Sequence, residues 1–472
     1  MDADKMNWSQ EEFSGIDLGD KRLDKRAQKI LGDLGAHPSK SIPAASGDWY
    51  ATKATYNFFS HKKVNSTHLL SRHIDSLITR AADEAVLLCP QDTTELDFTS
   101  QKQNTAHGLL NTENRRGSYL HVGLVTTPKR LALGILSMEV ITRDKLKRQM
   151  DKEEKAAHAA KPVEEKESYR WIKGYESACE LAQRVPDKQV VSISDRECDF
   201  YNFMKAAQDK MDGGQAYADW IVRGKWDRLT LDDKQQKLKV KERLEKLDPI
   251  AEIEYVLPGR DGEKGRKVKQ AVSSMPVTLV PPNAHKDDDK EISITAVLLQ
   301  EIDTPSGVEP LVRLLFSSVN ADSPEKVLEI ANWYLCRWDI EMLFKILKSG
   351  CKVEQLQIKS QQAVENAFIL YLIISWRIMY LTMLGRACPE LLCNVVLTDY
   401  EWRAVYLAVK KKPPETPPTL REMNSMIAVL GGHLKRKRDA HPGTQVMWIG
   451  MQRMLDMARL LEVFEGISKV VT

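Results

Sequence analysis

Tyr334, Arg337, Glu341 and Lys348 fall in one short stretch, Tyr334-Leu335-Cys336-Arg337-Trp338-Asp339-Ile340-Glu341-Met342-Leu343-Phe344-Lys345-Ile346-Leu347-Lys348. At about 100° of rotation per helical residue they share an arc of roughly 60°. A carboxylate then sits on one stripe with a phenol, a guanidinium and an ammonium, groups that hold a metal ion and the phosphates around it. Taken alone, the stretch also reads as a solvated face with Arg337 and Glu341 as an ordinary i,i+4 pair. Two acidic strand ends upstream favour the chemical reading. Val86-Leu87-Leu88-Cys89-Pro90-Gln91-Asp92-Thr93-Thr94 predicts a buried strand delivering Asp92 to its C-terminal tip. Val190-Val191-Ser192-Ile193-Ser194-Asp195-Arg196-Glu197 does the same for Asp195, and a helical pattern follows around Phe200–Met204. Each aspartate singly fits a helix N-cap. With Glu341 they supply three carboxylates on separate elements, about what two divalent ions over a phosphodiester require.

The motifs Asp92-Thr93-Thr94, Asp195-Arg196-Glu197-Cys198-Asp199 and Tyr334-x-x-Arg337-x-x-x-Glu341-x-x-x-x-x-x-Lys348 resemble the three motif blocks of a bacterial cut-and-paste DDE transposase. The match is to the Y-R-E-K subgroup, the Tn-five-like members of the insertion-sequence-four family. Leu18-Gly19-Asp20, Glu165-Lys166-Glu167-Ser168-x-x-Trp171 and Trp448-Ile449-Gly450 add to it, in order and over nearly the whole chain. The resemblance implies a ribonuclease-H-like α/β core, a mixed sheet flanked by helices, with an inserted β subdomain and helical N- and C-terminal domains. It further implies a DNA transposase that nicks, excises through a hairpin and joins element ends to target DNA, as a homodimer on double-stranded DNA. Asp92, Asp195 and Glu341 are its expected catalytic and metal-binding acids, with Mg2+ as cofactor and Mn2+ as a substitute; which acid holds which ion stays open. Tyr334, Arg337 and Lys348 are expected on phosphates, with Lys345 and Trp338 close by. In the family a base flipped near the end stacks on tryptophan, a role Trp338 fits. Where a second tryptophan is expected, this chain has Arg313, and after Glu341 it has Met342 in place of a second acid.

The elements that must position these groups read as three domains. Residues 1–70 predict a helical DNA-end-binding unit: Lys21, Lys25 and Lys29 form a basic stripe opposite Leu23, Ile30, Leu31 and Leu34, and a second helix carries Lys53. The same pattern is compatible with a helical cap bearing solvated lysines. By resemblance Arg26 is a DNA contact, as are Lys40 and Lys53 across an alignment gap. Residues 71–390 predict the catalytic core, with strands at 85–91, 118–126, 130–138 and 188–194 and a helix over 168–184. Asp92 and Asp195 are 103 positions apart and Asp195 and Glu341 are 146 apart, so about 226–320 reads as an insertion. Its β-prone runs are 250–257, 270–280, 291–300 and 311–318, punctuated by Pro258-Gly259, Pro281-Pro282 and Pro305-Ser306-Gly307. The strand before it ends in Arg223 and Lys225, well placed for phosphates. Residues 391–472 predict a helical dimerisation and DNA-contact domain with a basic cluster, Lys435-Arg436-Lys437-Arg438, which equally suits a solvated surface.

Composition bounds the rest. The 472 residues are too many for one small core, and 42% hydrophobic with 29% charged residues fits a soluble globular protein. A net charge of +3 does not by itself argue for nucleic acid. The opening Met1–Lys5 lacks an apolar run, which predicts no secretory signal and a cytoplasmic protein; the resemblance implies a bacterial, nucleoid-associated one. The apolar run Ala367–Ile374, breaking at Ser375-Trp376-Arg377, suits a core helix and is too short for a bilayer. Seven cysteines without a C-x-x-C pair argue against a zinc ribbon, and Cys198 and Cys336 read as space-fillers. Two other readings compete: a ribonuclease-H-like structure-specific nuclease without strand transfer, and a non-catalytic DNA-binding inhibitor retaining the fold. The basic N-terminal unit and the insertion argue against the first, the three acids against the second.

Overall fold

The computed structural model describes residues 7–101, 104–232, 236–257, 265–282, 292–436 and 442–471. Met1–Lys5, Pro258-Gly259 and Lys437-Arg438 lie outside the described residues. The strands are β1 (Val86–Asp97), β2 (Gly108–Leu109), β3 (Arg116–Thr126), β4 (Ala132–Ile141), β5 (Gln189–Ser194), β6 (Asp219–Arg223), β7 (Leu229–Leu231), β8 (Lys237–Lys239), β9 (Ala251–Leu257), β10 (Arg266–Leu279), β11 (Ser293–Ile302) and β12 (Val312–Ser317). Two compact units form. One takes residues up to Asp83, Thr93–Lys155 and Asp339 onward; the other takes Glu84–Asp92 and Ala156–Trp338.

The second unit is a mixed sheet. Val86–Pro90 of β1 runs parallel to β5, and β5 runs parallel to β6. These runs are largely buried, as expected where helices cover a parallel sheet. Helix Tyr169–Arg184 packs against β5, and helix Tyr201–Asp212 carries the chain from β5 to β6. Contact over β1 is close: a Cβ at Gly174 would stand 2.0 Å from Gln91 Oε1, so a larger residue there would displace the Gln91 amide. The insertion does not form a separate layer. β12 returns antiparallel along β6, and β11 and β10 continue the same sheet. β9 and β7 both pair with β10. Each expected β-prone run of the insertion is realised, as β9 to β12.

The first unit gathers the helical ends of the chain around the β3–β4 hairpin. Helices Trp8–Glu12, Lys21–Ala36, Ile42–Ser46, Trp49–Phe59 and Ser66–Arg80 come from the N-terminal segment. Each of the last four starts at a polar side chain (Asp20, Ser41, Asp48, Asn65) that accepts from a first-turn N–H. Helix Gln361–Ala387 runs through the core, and Trp376 Nε1 donates to the Ala132 carbonyl of β4 at 2.9 Å. Helices Asp399–Ala408 and Leu420–Leu430 pack on the 28-residue helix Thr444–Val471.

Two expectations are corrected. β1 does not stop at Asp92 but continues to Asp97; its pairing with β5 does end early, at Pro90, which has no N–H to donate. The segment 334–348 is not one regular helix. Helix Pro324–Leu335 tightens at its end, where Arg337 N bonds Tyr334 O; helix Trp338–Lys345 follows, and then a wide turn over Ile346–Gly350. The single regular stripe assumed for Tyr334, Arg337, Glu341 and Lys348 therefore does not apply. The expected core helix runs on through Ser375, whose hydroxyl donates to Tyr371 O at 2.7 Å. It is the one described helix long and apolar enough to cross a membrane, but 89% of its most apolar window is buried in the protein.

A buried charge network ties the first unit together. His73 Nε2 accepts from Ile135 N–H at 2.8 Å, so its proton sits on Nδ1 and is donated to Glu12. Arg80 reaches the same carboxylate at 2.8 Å and stacks on Trp376. Burial works against the Glu12 charge, but the His73 and Arg80 donors outweigh it and lower its pKa to about 2. Burial also keeps His73 neutral. A depressed carboxyl contributes stability above its unfolded range of about 4.5 and loses it as pH falls toward 2. Glu12→Gln is expected to cost on the order of 3 kcal/mol at pH 7 and to flatten this acid limb, as read by urea unfolding at several pH values.

Candidate active site

Asp92 and Asp195 belong to the same unit, at the ends of neighbouring parallel ladders. Gln91, one residue before Asp92, turns to the opposite face and donates to Ser192 Oγ at 3.1 Å, locking β1 to β5 beneath them. Asp195 directly follows β5 and caps the single turn Arg196–Cys198, its Oδ1 accepting from Glu197 N at 2.7 Å. The N-cap reading of Asp195 is therefore realised for one of its oxygens. Arg170 holds Glu197 at 2.7 Å, fastening that turn to helix Tyr169–Arg184.

Arg337 is the residue that brings the helical motif to these strands. Its Nη1 stands 2.6 Å from Asp92 Oδ2, both side chains being largely covered. Tyr334 is buried, and burial pushes its phenol pKa up against the guanidinium groups of Arg337, Arg223 and Arg313. The Asp195 carboxylate acts on the same phenol. This unit thus assembles Asp92, Asp195, Tyr334 and three arginines, a mixture of oxygen ligands and phosphate-binding donors. Arg313, at the expected tryptophan position, turns along the sheet. It bonds the Tyr255 hydroxyl and, at 3.1 Å, Gln270 Oε1. Reading from the sequence alone assigned it no role in the site, although a charged residue in an apolar strand is a signal. Lys225 is exposed and Trp338 half-buried in the same unit.

Glu341 belongs to the other unit, on helix Trp338–Lys345. Two residues earlier Asp339 is buried, 3.1 Å from Arg130 of the β3–β4 turn; burial raises its pKa to about 7. Lys345 is exposed and Lys348 half-buried. Burial lowers the Lys348 pKa, while Glu354 and Glu95 pull the other way, so its ammonium is already among carboxylates. Arg26 is half-buried on helix Lys21–Ala36, and Lys53 is exposed on helix Trp49–Phe59 beside exposed Trp49 and Tyr50. Lys40 stands 3.4 Å from Asp456 of the last helix, which engages it within the protein.

Carboxylate donors without thiol or imidazole suit a hard divalent cation in kind. Among the described residues, however, no three His, Cys, Asp or Glu side chains are grouped so as to hold a metal ion. The Arg337 guanidinium takes one Asp92 oxygen.

Family comparisons fit this arrangement. A transposase DDE domain model matches residues 205–377, a span that holds Tyr334, Arg337, Glu341 and Lys348 and begins beyond Asp92 and Asp195. A transposase DNA-binding model matches residues 5–64, which contain the first four helices. With its ribonuclease-H-like sheet and helical ends, the chain belongs to the DDE transposases. A transposase Tn5 dimerisation domain model matches residues 373–463, and the three matches in this order make it a Tn5-like member. The protein is accordingly a DNA-binding, dimer-forming enzyme of a family that uses divalent metal.

Arg337→Ala would remove this charged donor from the largely covered Asp92 carboxylate. It is expected to cost roughly 1.5–3 kcal/mol of stability, measured by denaturant unfolding, and Arg337→Lys is expected to recover only part because it lacks the planar fork.

Proposed function

We propose that this transposase binds the inverted ends of a mobile element, cuts them through Asp92, Asp195 and Glu341, and joins the freed 3′ ends to target DNA. The Asp92–Arg337 pair carries the reading: it unites two motifs 245 positions apart, beside the strand end that bears Asp195. Division of labour follows the three segments, with 1–70 gripping the end, 71–390 cutting and joining, and 391–472 pairing two copies. In the last helix Leu460, Val463 and Phe464 are exposed at i, i+3 and i+4, an apolar stripe suited to a second copy.

The three acids would hold Mg2+, or Mn2+ in its place. When bound, the ions acidify a water or 3′-hydroxyl and neutralise the leaving oxygen. Arg337, Arg223 and Arg313 supply charge-assisted hydrogen bonds to phosphate oxygens. Tyr334, its pKa raised by burial, keeps its proton and donates a further bond. Lys345 and Lys348 extend the basic path, and Trp338 stacks a displaced base if excision runs through a hairpin. Arg313 in the other stacking position offers no aromatic ring for a flipped base, which leaves the hairpin step open. The enzyme acts on the nucleoid of a bacterial cytoplasm.

Asp92→Asn, Asp195→Asn and Glu341→Gln are each expected to abolish metal-dependent cleavage of an end duplex while gel-shift binding persists. Normal cutting by any one of them removes that residue from the site, and cutting without joining to a plasmid leaves a nuclease. Arg26→Ala is expected to weaken end binding and reduce the slope of log affinity against log salt by about one phosphate contact; an unchanged slope takes Arg26 off the interface.

A further inference from the structure

Asp199 closes the Asp195-Arg196-Glu197-Cys198-Asp199 run, and nothing in the reaction above uses it. Its side chain is fully buried, and a carboxylate in that position is tolerated only when its lone pairs are met by donors. They are. Oδ2 accepts from the backbone N–H groups of Lys225 at 2.7 Å and Trp226 at 2.9 Å. Oδ1 accepts from Arg228 Nε at 2.8 Å and from its Nη2, which also donates to the Asp199 carbonyl. Asp227, between them, is held as well: its carbonyl accepts from Lys239 Nζ at 2.6 Å and its Oδ1 from Lys241 N–H at 2.9 Å. The tip Lys225–Arg228 is thus fixed by the segment after β5 and by residues at and after β8.

On this fixed tip Trp226 is 58% exposed, with the Lys225 ammonium 5.1 Å from its ring centroid. Leaving an indole in water forgoes the burial that usually makes tryptophan stabilising. Presenting it in water on a held backbone gives no stability but does prepare a contact, since the ordering cost of the loop is met before binding. Position narrows the partner. The tip prolongs β6, which ends in Arg223, and the turn that follows Asp195 packs on β6. An indole beside a cation matches a nucleobase and its phosphate. In an intact duplex the base faces are already stacked on each other, so only an unpaired base offers one.

We propose that the Lys225–Trp226 tip, preset by Asp199, is a stacking platform for an unpaired base at the DNA end being processed, with Lys225 on that nucleotide's phosphate. This rests on the reading of the protein as an enzyme of DNA ends. The full-length protein would be titrated by fluorescence anisotropy against a blunt duplex and against the same duplex carrying a short single-stranded thymidine extension. Trp226→Ala is expected to lose about tenfold in affinity for the extended duplex while the blunt duplex stays within about twofold, and Trp226→Phe to recover most of the loss. Equal affinities for both probes in Trp226→Ala and the unmodified protein, or an equal loss on both, overturns the platform. A change in dimer mass by light scattering with unchanged DNA affinity overturns it too, making the tip a protein contact. If the unmodified protein binds neither probe, the reading of the chain as a DNA enzyme fails instead.

Discussion

An ion pair between a strand carboxylate and a helix guanidinium, Asp92 with Arg337, is the constraint on which the site depends. Asp92 sits two residues past Pro90, the last β1 residue paired with β5, where the backbone is no longer set by that neighbour. Arg337 sits in the tightened joint between two helices, where the chain stops following a regular helical stripe. Each partner lies at an irregularity, and a short charge-assisted bond fixes both. Arg337 also acts on Tyr334, which feels Arg223 and Arg313 from the neighbouring strands. One bond therefore coordinates strand, helix and insertion.

The same device recurs. Glu12 joins two helices and a strand through His73 and Arg80; Asp199 fixes a loop through two backbone N–H groups and Arg228; Asp339 meets Arg130 ahead of Glu341. A buried carboxylate is a poor source of net stability, because desolvation opposes what its partners return. It is, however, highly directional, since an unmet lone pair in the interior is costly. Positions that must be held to a fraction of an ångström are where that trade is worthwhile.

The insertion shows a second economy. By returning antiparallel along β6, it adds strands to the sheet that carries Asp195 and needs no core of its own. Val272, Val297, Leu299 and Leu315 from the insertion share one apolar cluster with Leu88, Val191 and Ile193 of the central strands.

The sequence by itself determined the element types and the family and offered three acids as candidates, because these rest on local pattern: apolar runs ending in aspartate, a helical motif, and Pro- and Gly-marked turns between β-prone runs. It misjudged where regularity fails, taking β1 to end at Asp92 and residues 334–348 to be one helix. Strand extension and helix tightening are set by hydrogen bonds to distant partners, which no local window contains. Only the tertiary structure decided that Arg337 meets Asp92, that Asp199 clamps the loop after β6, and that Lys40 is engaged by Asp456. A charge shows its type in sequence, but the group that neutralises it is chosen by packing across hundreds of residues.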